Sequence, residues 1–200
     1  QELIEYDYDL LEAHRGLLAT YHALGESAKG VERYEREVKE RPASPTARYA
    51  LGLAYTYLDP PRVDAAIDEV TLAIQVNAQL VYPHMTLGWL YEQKERAEPG
   101  KGYLERAADE YQIALALNDE TTNPQTEADI ELNLGNAHYL LGNYDSASRY
   151  YSERASSGLP FEHAETEAIF AQRFGDTAFR VGKFDEAKLW LSRAYELAQE

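Results

Sequence analysis

The stretch LGNAHYLLGNYDSA, Leu134–Ala147, sets two glycines seven residues apart in a run that otherwise has helical spacing. Glycine in a helix interior costs roughly 1 kcal/mol relative to alanine, so Gly135 needs a structural reason. The stretch works as a template: Leu-Gly, an aromatic residue or histidine three positions on, a second glycine, an aromatic–acidic pair, then alanine. LGLAYTYLDPPRVDAA repeats it through Leu51, Gly52, Tyr55 and Ala66. LGWLYEQKERAEPGKGYLERAA does so through Leu87, Gly88, Tyr91, Tyr103 and Ala107, and FGDTAFRVGKFDEA through Phe174, Gly175, Gly182, Phe184 and Ala187. A weaker copy, LLATYHALGESAKG, holds Leu17, Leu18, Tyr21, Gly25 and Gly30. Each copy runs into a second amphipathic segment: YEREVKERP, VTLAIQVNA, YQIALALND, YYSERASSGLP and LSRAYELAQ. Such internal repetition is the signature of a stacked-repeat architecture.

The pattern resembles the tetratricopeptide repeat: a bulky residue, Leu-Gly and Tyr in a first helix, then Ala, an aromatic residue, Ala and a closing Pro in the second. The pairs Ala66 and Ala73, Ala107 and Ala114, and Ala187 and Ala194 fit, as does Pro42, while Pro160 falls one residue late. The resemblance implies an all-α, right-handed superhelical solenoid of about five helix-turn-helix repeats. They fall at 11–44, 45–80, 81–121, 128–161 and 168–200, with residues 1–10 extending the first helix, in a single domain over 1–200. The first helix of each pair lines the concave side. Gly135 then admits the paired second helix near Ala147.

Departures from the pattern fall between helices, where a solenoid tolerates insertions. About two extra residues enter at Asp59-Pro60-Pro61-Arg62 and about seven in RAEPGKG, where Pro99, Gly100 and Gly102 end one helix and delay the next. TTNPQTE separates the third and fourth units, and a longer first helix is expected to open the fifth at Phe161. Asp59-Pro60 and Asn123-Pro124 both read as cap-then-proline helix starts. Asn143 and Gly182 mark short turns, and ten helices with no strand follow.

Bulk properties narrow the function classes. The net charge of −16 is spread as −4 over residues 1–44, −6 over 45–121 and −6 over 122–200. A dispersed negative field repels phosphate backbones, so neither nucleic acid nor an anionic membrane surface is the expected partner. No apolar run reaches the roughly 18 residues a spanning helix needs. The absence of cysteine excludes disulfides and thiolate metal sites but leaves the compartment open. The chain starts at Gln1 and its only methionine is Met85, so it reads as a processed product or a segment of a longer chain.

No catalytic constellation stands out. HExxH, GxSxG and a phosphate-binding glycine loop are all missing. His14 and His84 occupy a packing slot of the repeat and His138 the tyrosine slot, while His22 is placed toward the groove and His163 at the start of the fifth unit. No pair of histidines has metal-ligand spacing. Neither cofactor, metal nor catalysis is expected.

Helix periodicity on the repeat's geometry gives the groove-facing set: Glu12, Arg15, Ala19 and His22; Tyr49, Leu53, Thr56 and Tyr57; Tyr82, Met85, Trp89 and Glu92; Leu132, Asn136 and Tyr139; Gln172, Asp176, Phe179 and Arg180. Tyr49, Leu53, Tyr57, Tyr82, Met85 and Trp89 make an aromatic, apolar strip suited to an extended or helical peptide. Arg15, Asn136, Tyr139 and Arg180 add polar contacts. Tyr49, Asn136 and Tyr139 are common in the family whatever it binds. The Lys/Asn/Arg clamp with which some members grip chaperone C-termini is missing, since its places hold Arg15, Ala19, Ala50, Tyr82, Thr86 and Leu132. The expected function is a non-catalytic scaffold binding a protein or peptide. The alternatives are self-association through the uncapped C-terminal flank (Trp190, Leu191, Ala194 and Leu197) and a regulatory segment of a larger enzyme or sensor.

Overall fold

The computed structural model describes the backbone of residues 2–121 and 123–199, and side chains at 11, 13–118 and 123–199. Ten α-helices follow one another: α1 (Glu2–Ala23), α2 (Ser27–Glu40), α3 (Pro45–Thr56), α4 (Val63–Val76), α5 (Val81–Ala97), α6 (Tyr103–Thr121), α7 (Pro124–Leu140), α8 (Tyr144–Ser156), α9 (Ala164–Arg180) and α10 (Phe184–Leu197). No strand occurs among the described residues. Residues 2–10 do extend the first helix, but their side chains and that of Glu12 lie outside the described residues.

Local chemistry sets the helix boundaries. Asn123 caps α7 as expected, its Oδ1 accepting from the backbone N–H groups of Gln125 and Thr126, both at 3.1 Å. Ser44 caps α3 in the same way, with its Oγ accepting from Ala47 N at 3.2 Å ahead of Pro45. Asp59-Pro60, by contrast, does not start a helix: α4 begins at Val63. Pro61 explains the failure, because the ring of a proline excludes its predecessor, here Pro60, from the helical region. Nor does α9 open at Phe161; it opens at Ala164. The 2%-exposed Arg154 holds the preceding loop, donating from Nη1 to the Leu159 carbonyl at 3.1 Å and from Nη2 to that of Pro160 at 3.3 Å. Its guanidinium lies 3.9 Å from the centre of the Phe161 ring, so Phe161 serves as a loop anchor.

Two compact units result, Gln1–Pro99 and Gly100–Glu200. Their boundary falls inside RAEPGKG, where Gly100 (φ 81°) and Gly102 (φ 75°) adopt the left-handed backbone that favours glycine. The third expected pair is therefore divided, with α5 in the first unit and α6 in the second.

Within each unit the paired helices meet at a glycine. A Cβ on Gly52 of α3 would lie 2.6 Å from Val70 Cγ2 of α4. On Gly135 of α7 it would lie 2.5 Å from Cδ1 and Cε1 of Tyr151 in α8, and on Gly175 of α9, 2.6 Å from Leu191 Cγ of α10. Close approach is thus what offsets the propensity cost. The first unit packs two clusters, one around Leu11, Tyr49, Val70, Tyr82 and Leu90, the other around Leu18, Tyr34, Ala50 and Leu51. The second unit gathers Leu132, Tyr151, Phe170 and Phe174.

Candidate partner-binding face

The α3 and α5 residues named for the groove do come together in the first unit, but at different depths. Tyr49 is 1% exposed and Tyr82 8%, and both belong to the buried cluster that includes Leu11 of α1. The Tyr49 hydroxyl lies 3.2 Å from Thr86 Oγ1, joining α3 to α5. Arg15 of α1 sits with its guanidinium 5.1 Å from the centre of the Tyr82 ring, a cation–π contact that covers the tyrosine. The first helix therefore occupies part of the strip, and Tyr49 and Tyr82 are core residues.

What remains accessible is narrower. Leu53 and Met85 are half-buried against that cluster, and Leu53 also packs against the neighbouring one, where Tyr57 lies. The His22 ring approaches Tyr57 with centroids 5.2 Å apart. Trp89, one helical turn beyond Met85 on α5, is 41% exposed. A run from His22 and Tyr57 through Leu53 to Met85 thus borders an open indole.

In the second unit the named residues bond to their own neighbours. Asn136 Oδ1 accepts from the Tyr151 hydroxyl at 2.9 Å. The Tyr139 hydroxyl donates to Asp176 Oδ2 at 3.0 Å, and Arg180 Nε donates to the same oxygen at 2.7 Å. Burial, and then this bond to a carboxylate, push the Tyr139 hydroxyl's pKa upward. Arg180 also stands 4.7 Å from the centre of the Tyr144 ring, and Arg173 lies 5.7 Å from that of Tyr139. Phe179, at the place in α9 that Tyr139 holds in α7, is 58% exposed, with its ring 5.6 Å from Phe184. Helix periodicity reached Phe179, but its exposure depends on neighbours that periodicity does not supply.

The remaining polar groups serve the packing. His84 is buried and its Nε2 lies 3.2 Å from the Ala78 carbonyl. His14 Nδ1 lies 2.7 Å from the hydroxyl of the fully buried Tyr34, and burial lowers the histidine's pKa while raising the tyrosine's to about 12. His138 stacks on Tyr150 with centroids 5.6 Å apart and is likewise lowered by burial. Glu131 of α7 is 9% exposed; burial first, then the Glu153 and Glu127 carboxylates, push it up to about 7. A cleft of about 540 Å³ runs along α8 between Asp145 and Ser156. Two of its serines donate to their own helix, Ser152 to the Ser148 carbonyl at 2.8 Å and Ser156 to that of Ser152 at 2.7 Å, and the Ser148 hydroxyl accepts from Lys183 Nζ at 3.0 Å. Among the described residues no cluster of His, Asp or Glu is arranged to hold a metal, and no helix is long and apolar enough to cross a membrane.

The succession of paired helices resembles solved structures. TTC0263, a thermophilic tetratricopeptide protein of Thermus thermophilus, is 24% identical at a TM-score of 0.62, over 95% of this chain and 92% of that one. The chain has the tetratricopeptide-repeat fold. MamA resembles it at 20% identity and a TM-score of 0.69, over 90% of this chain and 93% of that one. PilF of Pseudomonas aeruginosa does so at 17% identity and a TM-score of 0.68, over 96% of this chain and 76% of that one. No protein-family model and no curated protein matches the sequence. At these identities the likeness speaks to the tetratricopeptide architecture itself.

Proposed function

We propose that this tetratricopeptide chain is a non-catalytic interaction scaffold whose first unit binds a peptide or partner segment along its first-helix face. Tyr57, Leu53, Met85 and Trp89 supply the apolar contacts, and Arg15 and His22 border them. The observation that carries the reading is Trp89: a large indole left 41% exposed at the end of an otherwise half-buried apolar run. Buried elsewhere, such a side chain would contribute about 1.5–3 kcal/mol, and aromatic anchors of this kind dominate binding energy at protein interfaces. The spread negative charge favours a partner that is neutral or basic over one that is acidic. Asn136, Tyr139 and Arg180 are already engaged in hydrogen bonds within the second unit and take a structural part in this reading.

A peptide library displayed on phage and selected on the immobilised chain tests it. Enriched peptides should bind Trp89→Ala at least about tenfold more weakly, while that variant's melting temperature stays close to that of the unaltered chain. Equal affinity for both proteins would remove the face from consideration.

A further inference from the structure

The buried Arg154 of α8 has a donor left over. Its Nη1 donates to Ser157 Oγ and to the Leu159 carbonyl, both at 3.1 Å, and its Nη2 to the Pro160 carbonyl at 3.3 Å. These acceptors are all neutral, and the buried Nε–H has no hydrogen-bond partner among the described residues. A guanidinium taken out of water calls for a carboxylate to balance it. Burial pushes the Arg154 pKa down, against the attraction of Asp129, Glu131 and Glu167.

Two of those three carboxylates are engaged elsewhere. Glu167 Oε1 accepts from Nε and Nη2 of Arg193 at 3.0 and 2.7 Å, and Asp129 Oδ1 accepts from Gln125 Nε2 at 3.1 Å. Glu131 of α7 is buried and accepts no hydrogen bond among the described residues. The paired helices α7 and α8 thus hold a carboxyl without a donor and an N–H without an acceptor, and no ion pair joins them among the described residues. The charges facing Glu131 give the reason. Burial first, then Glu153 of α8 and Glu127 of its own helix, push the carboxyl up to about 7, while Arg154 pulls the other way. Among the described residues α6 and α9 place no charge against it. Glu153 is itself paired with Arg149 at 3.3 Å.

We propose that the charge on Glu131 works a clamp on the loop between α8 and α9. Ionised Glu131 takes Arg154 side-on at Nε and Nη2, the same two nitrogens that Arg193 offers Glu167. Nη2 then releases the Pro160 carbonyl, the longest of the guanidinium's bonds, while Nη1 keeps Ser157 and Leu159. Release is confined to the end of the loop, where Phe161 lies over the guanidinium and against Phe170 with centroids 5.0 Å apart. With Glu131 protonated the carbonyl is held and Phe161 stays seated. Rising pH ionises Glu131 and loosens the chain just ahead of α9.

Nuclear magnetic resonance of the full 15N-labelled chain, between about pH 5.5 and 8.5, tests the clamp. The Arg154 Nε–H and the Phe161 amide should shift together with a midpoint of about 7. Across that midpoint the Phe161 order parameter should fall from about 0.85 to below about 0.6. Glu131→Gln, which keeps the shape without the charge, should hold the low-pH values throughout. His163→Gln alters the exposed histidine at the far end of the same loop and should leave the transition in place. That variant keeps the test decisive if Glu131→Gln fails to fold. A Phe161 transition that is absent, survives in Glu131→Gln or vanishes in His163→Gln overturns the proposal. So does an Arg154 Nε–H that titrates while the Phe161 amide stays ordered, because the pair would then form without opening the clamp.

Discussion

The first-helix residues named for the groove serve different uses in the two units. In the first unit Leu53, Tyr57, Met85 and Trp89 rest on the core and leave an indole open. In the second, Asn136 and Tyr139 are hydrogen-bonded to Tyr151 and Asp176, and Arg180 is paired with the same Asp176. A side chain whose hydrogen bonds are satisfied within the fold has little to gain from a partner. An apolar side chain half out of water still has its burial free energy to contribute. Residues typical of the repeat therefore do not by themselves mark a binding face; the atypical and unsatisfied ones carry more information.

The largest effect should come from disturbing what holds the second unit's network. In Gly135→Ala the new methyl would stand 2.5 Å from two ring carbons of Tyr151, whose hydroxyl is tied to Asn136 and whose ring is packed against Phe170 and Phe174. Overpacking of this kind costs about 1–3 kcal/mol, and the Asn136 bond would be lost with it. Chemical denaturation should show this loss, whereas Gly16→Ala, where a Cβ meets nothing within 4 Å in a helical backbone, should be neutral or stabilising. Equal stability of Gly135→Ala and the unaltered chain would mean that Tyr151 is not a fixed part of the network.

A smaller effect is set by pH. Glu131 has its carboxyl raised from 4.5 to about 7, so the folded state binds its proton more tightly than the unfolded chain does. The stability this contributes is fully present below pH ~4.5 and is lost as pH rises toward about 7. Burial lowers the His14 pKa, which gives the opposite sign: its contribution is present above the unfolded value of 6.5 and lost on acidification. Glu131→Gln should therefore flatten the rise in stability on acidification between pH 7 and 5 and stabilise the chain at pH 8 by on the order of 1–2 kcal/mol. His14→Gln should alter the pH dependence on the acid limb only, beside a pH-independent cost from the lost contact with Tyr34. Denaturation midpoints measured across pH separate the two variants, and an unchanged slope in Glu131→Gln would show that its carboxyl titrates normally.

Much of this arrangement was legible in the sequence. The spacing of Leu-Gly and Ala gave the helix pairs, and Asn123-Pro124 gave a helix start, because both depend on local chemistry. The failures depended on neighbours. Asp59-Pro60 satisfied the rule for a helix start until Pro61 removed Pro60 from helical conformations. Phe161 looked like the beginning of a helix because the buried Arg154 that fixes its loop lies on the preceding helix. Tyr49 and Tyr82 share the helical phase of Met85 and Trp89, and phase reports direction without reporting that Leu11 and Arg15 arrive from α1 to cover them.

The smallest difference tests the opening contrast most directly. Tyr139→Phe deletes a hydroxyl that donates to Asp176 at 3.0 Å, leaving that carboxylate to Arg180 alone. Tyr57→Phe deletes a hydroxyl for which no hydrogen-bond partner occurs among the described residues, on a ring that His22 approaches at 5.2 Å. A bond to a charged acceptor contributes about 1.5–3 kcal/mol when well buried and less where water competes, so Tyr139→Phe should cost about 1 kcal/mol and Tyr57→Phe less than about 0.5 kcal/mol. Affinity for peptides selected on the first-helix face should show the reverse order, with Tyr57→Ala weakening it and Tyr139→Phe leaving it unchanged. If Tyr139→Phe instead weakened peptide binding without loss of stability, its hydroxyl would be serving the partner, and the division between the open run from Tyr57 to Trp89 and the self-satisfied Tyr139–Asp176–Arg180 network would fail.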